Sequence, residues 1–335
     1  MRLIEKLIRE KYIDIDILSK QKYIKSIKDM FEIQLAHQLD LTRVTAPLLV
    51  TKESGLQDDL SGVERKVSFD ILKDGKELEI VQSLAKWKRM ALKKYRLPVH
   101  QGLYTDMTAI RRDDKLDETH SIYVDQWDWE KVITREDRSL DYLKQTVTSI
   151  VDAICDTSDY LKEKGFKGVD LSRDVHFITS QELLDMYPGT TDKEREYLIT
   201  KKYKTVFIMQ IGGDLSDGKP HDMRAPDYDD WSLDGDLLFY HEVLDMALEI
   251  SSMGIRVDKE ALLKQIEKSG KTERLEYAYH KAILADELPL TIGGGIGQSR
   301  LCMLLLGRAH IGEVQASYWD KDTIEQCEES HIELL

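Results

Sequence analysis

The sequence has few cysteines and lacks a long apolar run. Its three cysteines, Cys155, Cys302 and Cys327, are far apart and form no CxxC or Cys/His cluster, so neither a disulfide framework nor a zinc site is indicated. No segment approaches the roughly 20 apolar residues that span a bilayer, and residues 1–14 carry charges where a signal peptide would be apolar. We therefore expect reduced thiols and a cytoplasmic protein that does not enter a membrane.

Basic runs are also missing. Acidic residues outnumber basic ones by 62 to 48, which gives a formal net charge of −14. Proteins that bind nucleic acid usually present a basic patch, so we expect no nucleic-acid partner. Only six prolines and no low-complexity tract interrupt the 335 residues, so residues 1–335 are predicted to form a single domain without an internal linker.

Hydrophobic periodicity predicts strands mixed irregularly with helices. A long amphipathic helix over residues 21–39 is followed by a predicted strand that holds Val44, Pro47 and Leu49. This mixture favours an α+β fold with a mainly antiparallel sheet over a doubly wound sheet. The other predicted elements are a hairpin at 66–70 and 77–81, a basic helix at 84–94, helices within 139–164 and 181–203, and short strands at 175–179 and 206–210.

Polar residues alternate on a stretch that otherwise has the composition of a buried strand. Gln126, Asp128 and Glu130 would share one face of that strand, and a buried polar face needs a polar partner. A solvent-facing edge with the intervening aromatic residues turned inward would give the same pattern. Arg111 stands upstream, and residues 112–119 read as a hairpin loop. Such a hairpin can present a guanidinium and carboxylates to a small charged molecule.

Two acids, Asp236 and Glu249, fall on a second predicted hairpin. If the turn lies within residues 241–244, they lie almost opposite each other, with Cβ atoms about 5 Å apart, and would repel unless a cation joined them. Two carboxylates with water and phosphate oxygens suit Mg²⁺. The alternative is two solvated acids on a loose helix.

A glycine-rich strand at residues 291–297 runs into a helix whose first turn holds Arg300. Glycines such as Gly295 let the backbone pass close to a ligand, although a tight strand-to-helix turn would need them too. The dinucleotide fingerprint GxGxxG is excluded, because Gln298 and Arg300 occupy the places of its third glycine in the two registers.

The order of these elements resembles the catalytic domain of class II aminoacyl-tRNA synthetases, and the aspartyl and asparaginyl enzymes in particular. Longer runs cover nearly the whole chain and resemble the ammonia-dependent asparagine synthetases, the aspartate–ammonia ligase family. These runs are SLAKWKR (83–89), VDQWDWE (124–130), RAPDYDDW (224–231), SSMGIRVD (251–258) and TIGGGIGQSR (291–300).

The resemblance implies that the β-carboxylate of L-aspartate attacks the α-phosphate of ATP, and that ammonia then displaces AMP from β-aspartyl-AMP. It also implies the site. Arg111 would neutralise charge on the α-phosphate, and Arg300 would cover the adenine. The other implied positions are Gln126 and Asp128 beside the aspartate, Gly295 at the nucleotide, Gln82 and Ser83 at the substrate, and Asp236 and Glu249 as ligands of Mg²⁺.

Activation of the β-carboxylate requires aspartate to sit reversed relative to its place in an aspartyl-tRNA synthetase. Lys88 and Arg256 are then candidates for gripping the α-carboxylate, although Lys88 could equally be a solvated residue of a basic helix. Asp58 or Asp229 could take the substrate ammonium, although both lie in acidic loops that could simply be solvated.

The helix and proline strand form the dimer interface in class II enzymes, so the resemblance also implies a homodimer with Pro47 near the two-fold axis. Two other functions remain open from the residues. One is a synthetase-like paralogue that transfers an aminoacyl group, and the other is a non-catalytic sensor of an amino acid or adenylate.

Overall fold

A mainly antiparallel sheet with helices against it forms the body of the protein, which confirms the predicted α+β class. The structure is a computed structural model that describes residue 12, residues 14–58, residue 60 and residues 64–335. Residues 1–14, where no signal peptide is predicted, lie mostly outside these described residues. The strands are β1 (Leu41–Arg43), β2 (Leu49–Val50), β3 (Ser68–Asp70), β4 (Glu77–Ile80), β5 (Gly102–Ile110), β6 (Tyr123–Val132), β7 (His176–Thr179), β8 (Thr205–Met209), β9 (Asp229–His241), β10 (Met246–Arg256) and β11 (Thr291–Gly297).

The large sheet has eight strands in the order β1-β5-β6-β11-β10-β9-β8-β7. Neighbours from β5 to β8 in this order are antiparallel, whereas the outer pairs β1/β5 and β7/β8 are parallel. The predicted hairpins are present, because β5 pairs with β6 and β9 pairs with β10. Strands β2, β4 and β3 form a separate sheet, which contains the predicted β3–β4 hairpin.

Helices bury an apolar face against the large sheet. Helix α1 (Ile17–Leu39) begins after Asp16, whose side chain caps its first turn. On its inner face, Phe31 lies against Trp127 of β6 with ring centroids 4.7 Å apart. Burial of each such side chain contributes roughly 1.5–3 kcal/mol. The other helices are α2 (Ala85–Tyr95), α3 (Leu140–Glu163), α4 (Ser180–Met186), α5 (Asp192–Tyr203), α6 (Lys259–Ser269), α7 (Ala278–Leu284), α8 (Gln298–Leu306) and α9 (Lys321–Glu329).

The strand predicted over Val44, Pro47 and Leu49 is wrong. Strand β1 ends at Arg43, the chain leaves the large sheet over residues 44–48, and Leu49 begins β2 in the smaller sheet. Proline has no backbone N–H to donate to a ladder, which is consistent with this exit from the sheet. The other predicted helices and strands are present with their ends shifted by a few residues. Within the described ranges, no helix combines the length and apolar character that a membrane span needs.

Candidate active site

A cleft of about 320 Å³ opens over the central strands of the large sheet, which is a size found for small-molecule sites. Its walls come from distant segments, including α2, the loop between β5 and β6, the segment before β9, and the start of α8. The structure thus brings most of the predicted site residues together. Those that line the cleft are Asp58, Ser83, Lys88, Arg111, Gln126, Asp128, Asp229, Glu249, Arg256, Gly295 and Arg300.

Two predicted site residues, Asp236 and Gln82, do not line the cleft, and Gln82 is completely buried. Its backbone N–H donates to Gln57 Oε1 at 2.9 Å, and its side chain donates to Arg65 O at 3.4 Å. Its own carbonyl oxygen accepts from Arg111 Nη2 at 3.4 Å. Gln82 therefore holds Arg111 through its backbone carbonyl oxygen instead of facing the cleft.

The floor of the cleft depends on glycines of β11 that lie opposite the polar face of β6. Gly295 pairs with Asp128, and Gly293 pairs with Glu130. A Cβ atom at Gly295 would lie 2.5 Å from Gln126 Oε1, and one at Gly293 would lie 2.0 Å from Glu130 Oε2. Both distances are too short for any side chain, so the glycines provide the space that these polar side chains occupy.

Beneath the floor, Arg256 is held by two carboxylates. Its Nε and Nη2 donate to Glu130 at 3.0 and 2.7 Å, and its Nη1 forms an ion pair with Asp229. Thr291 Oγ1 donates to Glu130 Oε1 at 2.7 Å. Burial alone would raise the pKa of Glu130, but Arg256 together with Lys88 and Thr291 leaves that pKa below its usual value. Arg256 therefore lines the cleft with its planar fork already fixed in orientation.

Lys88 contributes a second cation to the same end of the cleft. Its ammonium group donates to Asp128 Oδ1 at 3.0 Å and to the carbonyl oxygen of Gly294 at 2.9 Å. Burial lowers the pKa of Lys88, and Asp128 opposes that shift. The side chain is 1% exposed, so the alternative of a solvated lysine on a basic helix is excluded.

Asp58 also lines the cleft, and its carboxylate is almost fully buried. Its Oδ1 accepts from Leu60 N at 3.0 Å, whereas Oδ2 has no hydrogen-bond partner in the described part of the chain. Burial raises the pKa of Asp58, and the nearby Lys86 opposes that shift. Lys86 itself donates to Gln57 O at 3.1 Å and pairs with Asp227 at 2.9 Å. An incoming cationic group would satisfy the unpartnered oxygen of Asp58.

Arg111 and Arg300 lie toward the other end, and their observed hydrogen bonds go to backbone carbonyl oxygens. Arg300 Nη1 donates to Glu249 O at 3.0 Å, and its Nε donates to Thr119 O at 3.4 Å. Arg111 has only the long bond to Gln82 O, and its buried Nε lacks a partner among the described residues. These guanidinium groups keep donors available for a phosphate.

The predicted direct opposition of Asp236 and Glu249 is wrong in register. Asp236 pairs with Ser252, and Glu249 pairs with Leu238. The turn occupies residues 242–245 rather than 241–244, which shifts the pairing by two positions, and an irregularity between Glu249 and Ser251 adds one more. Since Asp236 is two residues from Leu238, it still shares a face with Glu249 as a diagonal neighbour. Burial raises the pKa of Asp236, and the negative charge of Glu249 raises it further against the opposing effect of Arg224.

Sequence reasoning assigned no role to Arg224, although it opens the RAPDYDDW run, and its position before a proline in an acidic run was the available signal. Its Nη1 donates to Ser252 Oγ at 2.9 Å, and its Nη2 forms an ion pair with Asp236. Asp236 Oδ1 is buried without a partner in the described part of the chain. The Asp236–Glu249 pair therefore fits a divalent cation that takes its remaining ligands from a phosphate and water. The described residues contain no cluster of three or more His, Cys, Asp or Glu side chains that would form a fuller metal cage.

Comparison with known proteins shows similarity over nearly the whole chain. A family model described as aspartate-ammonia ligase matches residues 18–331. The aspartate–ammonia ligase of Bacillus cytotoxicus is 57% identical over 313 residues, which cover 93% of this chain and 96% of that protein. The aspartate–ammonia ligase of Clostridium perfringens is 57% identical over 315 residues, with coverage of 93% and 94%.

Solved structures show the same fold at much lower identity. The asparaginyl-tRNA synthetase of Entamoeba histolytica in complex with asparaginyl-adenylate matches with a TM-score of 0.63 and 15% identity, over 89% of this chain and 66% of that one. The Pyrococcus horikoshii asparaginyl-tRNA synthetase complexed with asparaginyl-adenylate matches with a TM-score of 0.63 and 17% identity, over 89% and 68% of the two chains. The chain spans about two thirds of these structures. It has the class II synthetase catalytic fold, as predicted.

Proposed function

This chain belongs to the aspartate–ammonia ligase family, and we propose that its cleft makes L-asparagine through a β-aspartyl-adenylate. The protein is an enzyme that joins ammonia to L-aspartate in an ATP-dependent reaction. The observation that carries the adenylate proposal is the contrast between the two ends of one cleft. At one end, Lys88 and Arg256 are paired with carboxylates. At the other, Arg111 and Arg300 donate mainly to carbonyl oxygens, so their charge can act on a triphosphate.

In the first half-reaction, an oxygen of the β-carboxylate of aspartate bonds to the α-phosphorus of ATP, and pyrophosphate leaves. Arg111 would stabilise the charge that grows on the α-phosphate oxygens, and Arg300 would cover the adenine. Gly295 would keep the backbone close to the nucleotide. When bound, Mg²⁺ would supply positive charge to the phosphate oxygens, and Asp236 and Glu249 are the residues that would hold it.

In the second half-reaction, the nitrogen of ammonia bonds to the β-carbonyl carbon, AMP leaves with the former carboxylate oxygen, and the nitrogen releases one proton as the amide forms. The substrate must therefore present its β-carboxylate to the phosphate end and its α-carboxylate to the other. Lys88 and Arg256 lie at that other end and would take the α-carboxylate. Gln126 and Asp128 would line the floor beside the substrate.

The substrate ammonium group needs a carboxylate, for which the sequence offers Asp58 and Asp229. Asp229 is already engaged by Arg256, whereas Asp58 has an unpartnered oxygen and lines the same cleft. These contacts favour Asp58 as the ligand of the ammonium group. Ser83 also lines the cleft, and its hydroxyl accepts from Ala85 N at 3.1 Å, which ties it to the start of α2.

We further propose that residues 1–335 act as a single cytoplasmic domain, without a nucleic-acid partner, in a homodimer formed through α1 and the chain around Pro47. The largest apolar cluster joins residues from Ile24 to Ile332, which supports one common core. Exposed apolar side chains support the interface, since Leu18 and Ile33 of α1 are 69% and 61% exposed and Leu48 is 48% exposed. The three cysteines are free and buried, which fits a reducing compartment.

An isotope experiment tests the adenylate. L-Aspartate labelled with ¹⁸O in both β-carboxylate oxygens is incubated with the enzyme, ATP, Mg²⁺ and ammonium, and the products are analysed by mass spectrometry. We expect AMP with one ¹⁸O in its phosphate and asparagine with one ¹⁸O in its side-chain amide. The control, aspartate labelled only in the α-carboxylate, should leave AMP unlabelled. Labelled inorganic phosphate together with ADP would show a β-aspartyl phosphate route and refute the proposal.

A further inference from the structure

Arg224 stands in the wall of the cleft and forms an ion pair with Asp236, one of the two proposed metal ligands. Its segment, residues 222–225, lines the cleft, and its side chain is 16% exposed. The guanidinium donates to Ser252 Oγ at 2.9 Å and pairs with Asp236, and Asp222 lies 3.8 Å from Nη2. Its buried Nε has no partner among the residues that the structure describes. At least the Nε–H donor of this cation thus remains unused.

The ion pair places a positive charge on one of the two carboxylates that would hold Mg²⁺. Asp236 Oδ2 is taken by Arg224, which leaves Oδ1 as the oxygen without a partner in the described part of the chain. Glu249 lies on the same face of the hairpin, and Arg300 Nη1 lies 3.9 Å from its carboxylate. The charges of Arg224 and Lys193 also act on Glu249. A divalent cation entering here without a nucleotide would be repelled by the guanidinium, and it would gain only two protein carboxylates.

A triphosphate changes this balance, because it brings negative charge and oxygens that both cations can share. The unused Nε–H of Arg224 gives the guanidinium a further donor for a phosphate oxygen without complete loss of its bond to Ser252. Building on the proposed function, we propose that Arg224 is the resident counter-cation of the Asp236–Glu249 pair and keeps a divalent cation out until ATP arrives. The metal then enters together with the nucleotide.

The test measures Mn²⁺ binding rather than turnover. The free Mn²⁺ signal in electron paramagnetic resonance is followed during titration of the protein, first alone and then with α,β-methylene-ATP, which cannot undergo the adenylation step. For the unchanged protein we expect Mn²⁺ to bind at least about tenfold more weakly without the nucleotide, after the Mn²⁺ that the analogue binds in a protein-free titration has been subtracted. Equal affinities in the two titrations would overturn the proposal without any substitution.

Arg224→Gln removes the charge and is expected to tighten Mn²⁺ binding without nucleotide by at least about tenfold, and to reduce the enhancement by the nucleotide analogue. Unchanged or weaker Mn²⁺ binding in a folded Arg224→Gln variant would overturn the proposal. Arg224→Lys keeps a cation, so it should still exclude Mn²⁺ in the absence of nucleotide. Tight binding by Arg224→Lys would show that the charge at this position is not what excludes the metal.

A matched control comes from Arg173, which also lies among carboxylates but on the surface. It contacts Asp152, Asp156 and Asp159 at 3.4, 2.8 and 2.7 Å. Arg173→Gln should leave Mn²⁺ affinity unchanged. If it increased Mn²⁺ affinity as much as Arg224→Gln does, the change in net charge would explain the effect, and the specific role of Arg224 would be refuted.

A double variant, Arg224→Gln with Glu249→Gln, tests the assignment of the metal ligands separately from the counter-cation role of Arg224. Loss of the gained Mn²⁺ site in the double variant supports both the metal ligands and the counter-cation. Retention of that site would show that the metal binds elsewhere, so the proposed Asp236–Glu249 pair would be wrong, and the counter-cation role would be wrong with it. A different result would contradict the counter-cation role alone. In that case Arg224→Gln would not bind Mn²⁺ more tightly without nucleotide, while Glu249→Gln would still lose AMP-forming activity as expected for a metal ligand.

Discussion

Replacement of Glu130 by Gln tests the charge balance under the cleft. The carboxylate is completely buried, and it accepts from Arg256 Nη2 at 2.7 Å and from Thr291 Oγ1 at 2.7 Å. Gln keeps the size of the side chain but removes the charge and turns one acceptor into a donor that faces the guanidinium. Arg256 would keep Asp229 as its remaining ionic partner. In the variant, the buried Arg256 guanidinium would therefore keep one of its two carboxylate partners.

The expected loss lies at the lower end of the range for broken buried ion pairs, about 3 kcal/mol, because Asp229 remains. An unfolding entropy of about 2.1 cal/mol/K per residue over 335 residues amounts to about 0.7 kcal/mol/K, so Tm should fall by about 4 °C. Thermal unfolding followed by circular dichroism or calorimetry at neutral pH measures this shift. A Tm within about 1 °C of the original protein would refute the argument, because that corresponds to less than 1 kcal/mol.

Glu287→Gln is the matched control, since this carboxylate pairs with Lys93 at 2.8 Å while both side chains are about half exposed. Exposed pairs contribute about 0–1 kcal/mol, so its Tm should change by about 1 °C or less. Burial acts to raise the pKa of Glu130, but Arg256, Lys88 and Thr291 together hold that pKa below its usual value. Its stabilising effect is thus present above the unfolded-state pKa and is lost as pH falls through the folded-state pKa. The Tm difference between the original protein and Glu130→Gln should therefore narrow in acid.

Further predictions concern the substrates and the assembly. Arg256→Lys loses the planar fork, so aspartate should bind more weakly and the preference for aspartate over its α-amide should decrease; an unchanged preference, measured by pyrophosphate release, would assign the α-carboxylate to another residue. Glu249→Gln should still bind aspartate in calorimetry but should lose ATP-dependent AMP formation, and normal turnover at limiting Mg²⁺ would contradict its role as a metal ligand. Gly295→Ala should raise the KM for aspartate roughly ten- to hundredfold because its Cβ displaces floor side chains, whereas Gly297→Ala, whose nearest contact is Arg300 Cβ at 3.3 Å, should change it little. Light scattering at micromolar concentration should give the mass of a dimer, and a monomer would exclude the proposed α1 interface.

Local patterns predicted the parts of the site in which neighbours in sequence set the geometry. The alternation of Gln126, Asp128 and Glu130 survives in β6, because side-chain direction along a strand follows from the backbone alone. The same holds for the hairpin after Arg111 and for the glycine-rich strand that leads into the helix with Arg300. These elements could be predicted before any contact between them was known.

Register and exits from the sheet could not be predicted in this way. The turn between β9 and β10 lies one residue later than predicted, and the irregularity between Glu249 and Ser251 moves Asp236 by one further position on the ladder. Neither shift follows from the residue types at these positions. The chain at Pro47 leaves the sheet even though its apolar neighbours suit a strand. In both cases packing against other elements decides the outcome, and the local pattern is compatible with either result.

The role of each residue within a motif depends on contacts with residues that are distant in the sequence. Local sequence patterns do not predict these contacts. Glu130 belongs to the same polar face as Gln126 and Asp128, yet its carboxylate forms an ion pair with Arg256, which lies 126 positions away in the sequence. Gln82 stands next to Ser83, yet its carbonyl supports Arg111 while Ser83 lines the cleft. A resemblance between motifs therefore cannot separate side chains that would touch a substrate from those that hold them. Because a supporting residue acts through its partner, its substitution should alter stability and substrate affinity together, which distinguishes it experimentally from a residue that contacts the substrate alone.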